Sequence, residues 1–234
     1  MVKWADIKEG EIGPSMEYGP LMRAEFAVYA NAGGDTNPIH TDEFAGIRAG
    51  NKGVIAHGLY SHAFLGKMLV DWVGAENVRS YGGRMVGMAE PGDMLVLIGK
   101  VTKKYEKDSE KFVDLEIKSI TKTYFIQGMG KADPSISDED LIKKLENAEF
   151  DASVEFSPKK GKWVFKFNIK NLEGIEVNLK RTVLNEPVIR DWFREGKDQL
   201  TAEIIGRRQK DDFKFGIIRL RDSIVGNATV AIPE

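Results

Sequence analysis

Apolar residues in the first half of the chain follow helical spacing in two places. Residues 21–31 carry aromatic and aliphatic side chains three and four positions apart, which predicts an amphipathic helix. The pair Gly33-Gly34 predicts the end of that helix. Residues 58–73 are apolar nearly all round, which is typical of a helix buried on most of its sides.

Strand-like patterns follow this second helix. We predict strands over residues 84–89, 93–104 and 112–126, separated by a Pro91-Gly92 turn and a charged turn, EKDSEK. The simplest architecture for this order of elements is a long buried helix wrapped by an antiparallel sheet. The sequence therefore predicts an α+β fold for this part of the chain.

The middle of the chain has its own helix and strand signals. Ser137 with Asp140 resembles the capping-box start of a helix, and Leu141, Ile142 and Leu145 follow on one face. The remaining predicted elements are strand 162–170, turn 171–174, return strand 175–179 completing a hairpin, helix 185–196 and strand 199–205. These elements predict a small α+β unit with a one-sided sheet.

Two topologies connect these parts. We favour an insertion, in which residues 112–127 pair with 214–232 and residues 128–213 form a separate domain in the last hairpin. The first domain then comprises residues 1–127 and 214–234. In the alternative, residues 121–132 close the first domain and the rest is appended to its C-terminal side.

Composition excludes several functional classes. The 234 residues carry 34 Lys and Arg against 36 Asp and Glu, a net charge of −2, which argues against nucleic-acid binding. The absence of Cys rules out disulfides and thiolate chemistry, and the chain has only three His. The most apolar stretch is too short and too charged to span a bilayer. We therefore expect a cytoplasmic protein without membrane insertion or a metal site.

The segment D-T-N-P-I-H contains the strongest candidate for chemistry. Asp35 and His40 lie five positions apart across a turn with Pro38, and such a turn can direct a carboxylate and an imidazole toward one water molecule. Asn37 is expected to support the water or the backbone. The alternative is structural, because D-x-N-P is also a common turn sequence.

A second candidate lies where the buried helix begins. Gly58 occupies the first position of that helix, so its N–H has no partner within the helix and lies at the positive end of the helix dipole. A carbonyl could approach closely because glycine has no side chain. We interpret this amide as an oxyanion hole for a thioester; the alternative is that Gly58 only relieves crowding.

Together, G-G-D-T-N-P-I-H, the later G-V-I-A-H-G and the long apolar helix resemble the MaoC-like dehydratases, which include the (R)-specific enoyl-CoA hydratases. The resemblance covers residues 1–127 and the closing GNATVAIP. It implies a hot-dog fold, a homodimer, and a lyase that adds water reversibly to a trans-2-enoyl-CoA to give the (R)-3-hydroxyacyl product. It assigns Asp35 and His40 as the acid/base pair, Asn37 as support, and Gly58 as the oxyanion amide. It implies no cofactor beyond the coenzyme A of the substrate.

Other readings remain open. His57 is interpreted as a helix-entry or packing residue, and His62 as a hydrogen-bonded core residue of the buried helix. The basic pairs 103–104 and 207–208 are weak candidates for coenzyme A phosphates. The same fold could act as a dehydratase or thioesterase on another acyl thioester. A third hypothesis is a non-catalytic acyl-thioester-binding scaffold in which residues 128–213 recruit an unknown partner.

Overall fold

The structure is a computed structural model that describes residues 2–159, 161–170, 172–179, 198–207 and 212–233. The chain divides into two compact units. Unit 1 comprises Met1–Thr121 with Asp222–Glu234, and unit 2 comprises Lys122–Arg221. The sequence predicts that the first domain ends at position 127 and resumes at position 214. In the structure, unit 1 ends at Thr121, several residues earlier, and resumes at Asp222, several residues later. The inserted topology stays a prediction.

A mostly antiparallel sheet forms the framework of unit 1. Its strands follow the order β1-β3-β4-β9-β2. Antiparallel pairing joins β1 to β3 and β2 to β9. The strands are β1 (Ile12–Tyr18), β2 (Val78–Met85), β3 (Met94–Lys107), β4 (Glu110–Ala132) and β9 (Asp212–Ala231).

One long helix, α3 (Gly58–Val73), supplies the centre of the core of unit 1, with the same bounds as predicted. Leu65 and Leu69 are fully buried, and they belong to one cluster with Leu95, Leu97 and Val230 of the sheet. Burial of each such side chain contributes about 1.5–3 kcal/mol. The predicted hot-dog fold, a long buried helix wrapped by an antiparallel sheet, is confirmed.

Two shorter helices precede α3. The helix α1 (Arg23–Gly33) lies within the predicted segment and ends at Gly34, whose φ of 73° is left-handed. Glycine adopts that conformation without steric cost, which explains why the helix stops there. The helix α2 (Glu43–Arg48) begins at Asp42, whose side chain accepts from the Ala45 N–H at 2.7 Å.

The strand predicted over residues 84–89 is wrong in position, because the strand spans Val78–Met85. Nearly every residue of β2 is exposed, so this edge strand lacks the alternating apolar pattern that sequence reasoning requires. Its Gly83 pairs with Gly226 of β9. A Cβ on Gly226 would collide with the Gly82 carbonyl, so the two backbones approach closely because both strands carry glycine.

Unit 2 contains α4 (Asp138–Glu146), which begins at Ser137 as predicted; Ser137 Oγ accepts from the Asp140 N–H at 3.1 Å. Leu141 and Leu145 of α4 are buried, but Ile142 is exposed, so the predicted apolar face is narrower than expected. The two leucines belong to a second core with three side chains of β9, Phe213, Phe215 and Ile217.

The predicted hairpin over residues 162–179 is wrong. Both strands exist, but β6 (Lys162–Lys170) pairs with β5 (Glu149–Ser157), and β7 (Ile175–Leu179) pairs with β4. The turn between them carries Gly174, whose carbonyl accepts from the Asp133 N–H at the end of β4 at 2.8 Å. This bond continues the pairing of β7 with β4 by one position beyond Ala132 and Ile175.

The strand predicted at 199–205 is observed as β8 (Asp198–Arg207), which pairs with β9. The predicted helix 185–196 lies outside the described residues. Among the residues that the structure describes, no helix has both the length and the apolar character needed to cross a bilayer.

Candidate active site

The segment that follows α1 is held in a fixed turn by its own polar side chains. Asp35 Oδ1 accepts from the Asn37 N–H at 3.3 Å, and Asn37 Oδ1 accepts from the Ile39 N–H at 3.2 Å. Asn37 thereby caps a 3₁₀ turn, Pro38–His40, in which proline takes the first position. The predicted supporting role of Asn37 thus has a geometric basis, in the backbone of the turn.

A second segment, residues 53–57, lies beside this turn and leads into α3. The Ile55 N–H donates to the Ile39 carbonyl at 3.2 Å, and the Ala56 N–H donates to the Ala89 carbonyl at 2.8 Å. Glycine permits the close approach of α2 on the other side, since a Cβ on Gly46 would collide with the Gly53 carbonyl. The two segments are therefore joined through their backbones.

His40 contributes a second link between the segments. Its ring is buried, and Nδ1 lies 2.7 Å from the Ile55 carbonyl oxygen. A carbonyl oxygen can only accept a hydrogen bond, so the proton of the neutral ring is assigned to Nδ1. His40 Nε2 is then left with a lone pair.

Asp35 faces that lone pair. Its Oδ2 lies 3.9 Å from His40 Nε2, and the carboxylate is 56% exposed while the imidazole is 9% exposed. The separation is too long for a direct hydrogen bond, but one water with bonds of about 2.8 Å to both atoms would span it. The structure thus brings together the two residues that the motif placed five positions apart.

His57 also belongs to this cluster, although its sequence context predicts only a structural role. Its ring stacks on the His40 ring with centroids 3.7 Å apart. Its Nε2 lies 3.1 Å from the Asp35 carbonyl oxygen and 4.0 Å from Asp35 Oδ2. The only sequence signal was its position directly before Gly58, which is equally typical of a packing residue.

A cavity of about 310 Å³ opens beside these groups. Its lining residues include Asp35, His57, Gly58 and Met85, so the first amide of α3 lies in the same cavity as the carboxylate. His40 is not among the lining residues. Its Nε2 lies 3.9 Å from Oδ2 of Asp35, which does line the cavity. A Cβ on Gly58 would lie 2.9 Å from Met85 Cγ, so a side chain there would displace Met85.

Aromatic residues of α1 and α3 support one side of the cavity. Tyr29 lines it and lies 5.1 Å from the His57 ring and 5.3 Å from the Tyr60 ring, between centroids. Burial, with a further contribution from a hydrogen bond with Tyr18, raises the pKa of Tyr60. Tyr60 therefore stays neutral and packs as an aromatic wall.

The same cluster meets the spacing requirement for a metal ion. One ligand atom from each of Asp35, His40 and His57 lies within 4.8 Å of the others. However, His57 Nε2 faces the Asp35 carbonyl, and the two imidazole planes lie only 24° apart. A ring nitrogen that donates its proton to a carbonyl cannot bind a metal ion at the same time, so His57 Nε2 is not available as a ligand while this hydrogen bond is made. This hydrogen bond therefore argues against a metal ion held by all three residues.

The weaker candidates have other contacts. The ammonium group of Lys104 donates to the carbonyls of Trp4 and Ile7 at 2.8 and 2.5 Å, which gives it a structural role. His62 is half-buried and stacks on Tyr81 with centroids 4.8 Å apart, away from the cluster, and is not the core residue that the sequence suggested. The side chains of residues 207 and 208 lie outside the described residues.

Comparison with known families finds a match over the part of the chain that carries these residues. Residues 10–123 match a family model described as "MaoC like domain". These residues form a MaoC-like domain. The matched range contains α1, the turn of residues 35–40 and all of α3, so every residue of the cluster belongs to it.

Relatives of the MaoC-like domain include the "Enoyl-CoA hydratase ChsH3" of Mycobacterium tuberculosis, which is 31% identical over 90 residues. That match spans 37% of this chain and 32% of the relative, so the chain spans about a third of the curated protein that it matches.

Two solved structures are also similar. A MaoC-like dehydratase from Rhodospirillum rubrum is 19% identical with a TM-score of 0.45, covering 52% of this chain and 86% of that one. An (R)-hydratase from A. caviae, involved in PHA biosynthesis, is 18% identical with a TM-score of 0.41, covering 47% and 85%.

The assigned tautomer of His40 is directly measurable in the MaoC-like domain. The chain has only three histidines, so ¹⁵N-resolved imidazole spectra are readily assigned by substituting them one at a time. We expect the neutral His40 ring to show a protonated Nδ1 and a bare Nε2, because Nδ1 donates to the Ile55 carbonyl. A neutral His40 ring with its proton on Nε2 would contradict the assignment.

Proposed function

We propose that the MaoC-like domain catalyses the reversible hydration of a trans-2-enoyl-CoA to the (R)-3-hydroxyacyl-CoA. The observation that carries this proposal is the 3.9 Å separation between His40 Nε2 and Asp35 Oδ2, together with the cavity that Asp35 and Gly58 both line. The enoyl-CoA hydratase named among the relatives supports the same reaction class. The (R) configuration follows from the family resemblance.

The two catalytic groups would share one water. Its oxygen forms a bond to C3 of the substrate while one of its protons passes to His40 Nε2. The C2–C3 π electrons move toward the thioester oxygen, which gives an enolate. The proton on His40 then passes to C2, so the product gains one hydrogen and one hydroxyl, both from the water. Asp35 orients the water and balances the charge of the imidazolium.

The Gly58 amide would stabilise the enolate. As the first residue of α3 it has an N–H that no carbonyl of the helix accepts, and the helix dipole adds positive potential at this end. Donors aimed at a developing oxyanion contribute about 3–4 kcal/mol in other enzymes. The reaction needs no cofactor beyond the coenzyme A carried by the substrate.

Replacing either acid/base residue tests this assignment. We expect Asp35→Asn and His40→Gln each to lower kcat by about 10²–10⁴-fold, because each removes one group from the shared proton transfer. Loss of the ultraviolet absorbance of a short enoyl-CoA measures the rate. Asp42→Asn is the matched control, since Asp42 only caps α2 and asparagine caps equally well.

Two outcomes would contradict the acid/base proposal. Full hydration activity in Asp35→Asn and His40→Gln would show that these residues are not the catalytic pair. Release of free thiol from the acyl-CoA, detected with a thiol-reactive dye, would favour a thioesterase over a hydratase.

A pair of double variants isolates the Gly58 N–H. Proline is favoured at the first position of a helix and has no N–H. The preceding residue, His57, has φ −60° and ψ 136°, which are backbone angles that suit a residue before proline. Met85→Ala makes room in both variants. We expect Gly58→Pro/Met85→Ala to have a kcat about 10²–10³-fold below that of Gly58→Ala/Met85→Ala. Equal rates would refute the oxyanion role.

A second copy of this chain is the proposed partner of β2. Among the described residues, β9 is the only strand paired with β2, and β2 carries two exposed apolar side chains, Tyr81 and Met85, that also contact α3. An open edge strand with apolar side chains is a template for pairing.

Sedimentation equilibrium tests this dimer. We expect a mass about twice 26.2 kDa for the wild type, and the monomer mass for Tyr81→Lys, because lysine at a strand edge opposes pairing. Tyr124→Lys, at an equally exposed tyrosine of unit 2, serves as the control and keeps the wild-type mass. A monomeric wild type would contradict the proposal.

A further inference from the structure

We infer that His57 is a positioning residue, which holds the turn of residues 35–40 in register so that Asp35 and His40 share one water. This inference rests on the proposed hydration reaction. It assigns a role to a buried side chain that the proposed mechanism leaves unused.

The position of His57 at the start of α3 does not by itself explain its side chain. His57 is the N-cap residue of α3, but its side chain makes no capping hydrogen bond. Instead the ring is buried between His40 and Tyr29, with centroids 3.7 and 5.1 Å away. The side chain therefore serves the neighbouring turn and not its own helix.

Hydrogen bonding shows what the ring supplies. His57 Nε2 lies 3.1 Å from the Asp35 carbonyl, so the proton of the neutral ring is assigned to Nε2. The remaining atom, Nδ1, is buried and has no hydrogen-bond partner among the described residues. A phenyl ring would fill the same space without an unpaired acceptor, so the distinctive contribution of histidine is the Nε2–H donor.

This donor completes a set of three bonds between the two segments. The Ile55 N–H donates to the Ile39 carbonyl, His40 Nδ1–H donates to the Ile55 carbonyl, and His57 Nε2–H donates to the Asp35 carbonyl. The first two hold the end of the turn at residues 39–40. Only the third holds its beginning, where the carboxylate is attached.

The stacked rings connect the two ends. The His40 ring has one face against His57, with the planes 24° apart, and its Nδ1 is held by Ile55. The same histidine therefore contacts both members of the pair, Asp35 through its carbonyl and His40 through its ring face. If the anchor at Asp35 were lost, the carboxylate would move relative to Nε2 of His40.

Two variants separate the donor from the ring. His57→Phe keeps a ring for stacking but has no donor, whereas His57→Gln places an amide N–H near the position of Nε2 without a ring. We expect His57→Phe to lower kcat by about 10²-fold with KM nearly unchanged, because small misplacements of reacting groups have effects of that size. We expect His57→Gln to recover most of that loss.

The control is His62→Gln, at the histidine of α3 that stacks on Tyr81 outside the site, and we expect it to keep the wild-type kcat. Hydration that is equally fast in wild type and His57→Phe would overturn the inference. So would an equal loss in His57→Phe and His57→Gln, because that result assigns the effect to packing.

A measurement on the wild-type protein keeps the inference testable even without activity. We expect ¹⁵N spectra to show the neutral His57 ring protonated at Nε2 and bare at Nδ1. The opposite tautomer would overturn the role of His57 whatever the enzyme does. A wild type that hydrates no enoyl-CoA but shows the expected tautomer would instead refute the proposed function alone.

Discussion

The site depends on three hydrogen bonds that join the turn of residues 35–40 to the segment of residues 53–57. These segments are separated by residues 41–52, and each alone is a short loop. When joined, they bring Asp35, His57 and Gly58 to one cavity and place the His40 ring beside Asp35 and His57. Because two of the bonds use histidine rings, the same contacts that fix the backbone also assign the position of each ring proton.

The buried helix gives this arrangement a rigid base. The apolar residues of α3 are packed inside the sheet, so its first turn cannot shift without disturbing the core. Gly58 therefore presents its N–H at a fixed place, and His57 directly before it has a fixed ring. The residues of the proposed chemistry lie on loops, and a packed helix sets where those loops meet, as is usual for catalytic sites.

Sequence patterns predicted α1, α3, α4 and the pair Asp35 and His40 because local signals encode them: apolar spacing, caps and a proline turn. They did not predict the position of β2, whose exposed residues show no alternation, or the pairing of β7 with β4. The place of His57 in the site was also missed. Ring stacking and a bond to a carbonyl 22 positions earlier in the chain are tertiary contacts, which no local pattern in one sequence contains.

The most direct test of the account is the stereochemistry of hydration in D₂O. In the proposed mechanism Asp35 and His40 share one water, so the hydroxyl and the hydrogen should both reach the substrate from the same side. With trans-2-butenoyl-CoA, proton coupling constants of the product should place deuterium at C2 by syn addition relative to the C3 hydroxyl. Anti addition, or a mixture of both products, would contradict a single shared water.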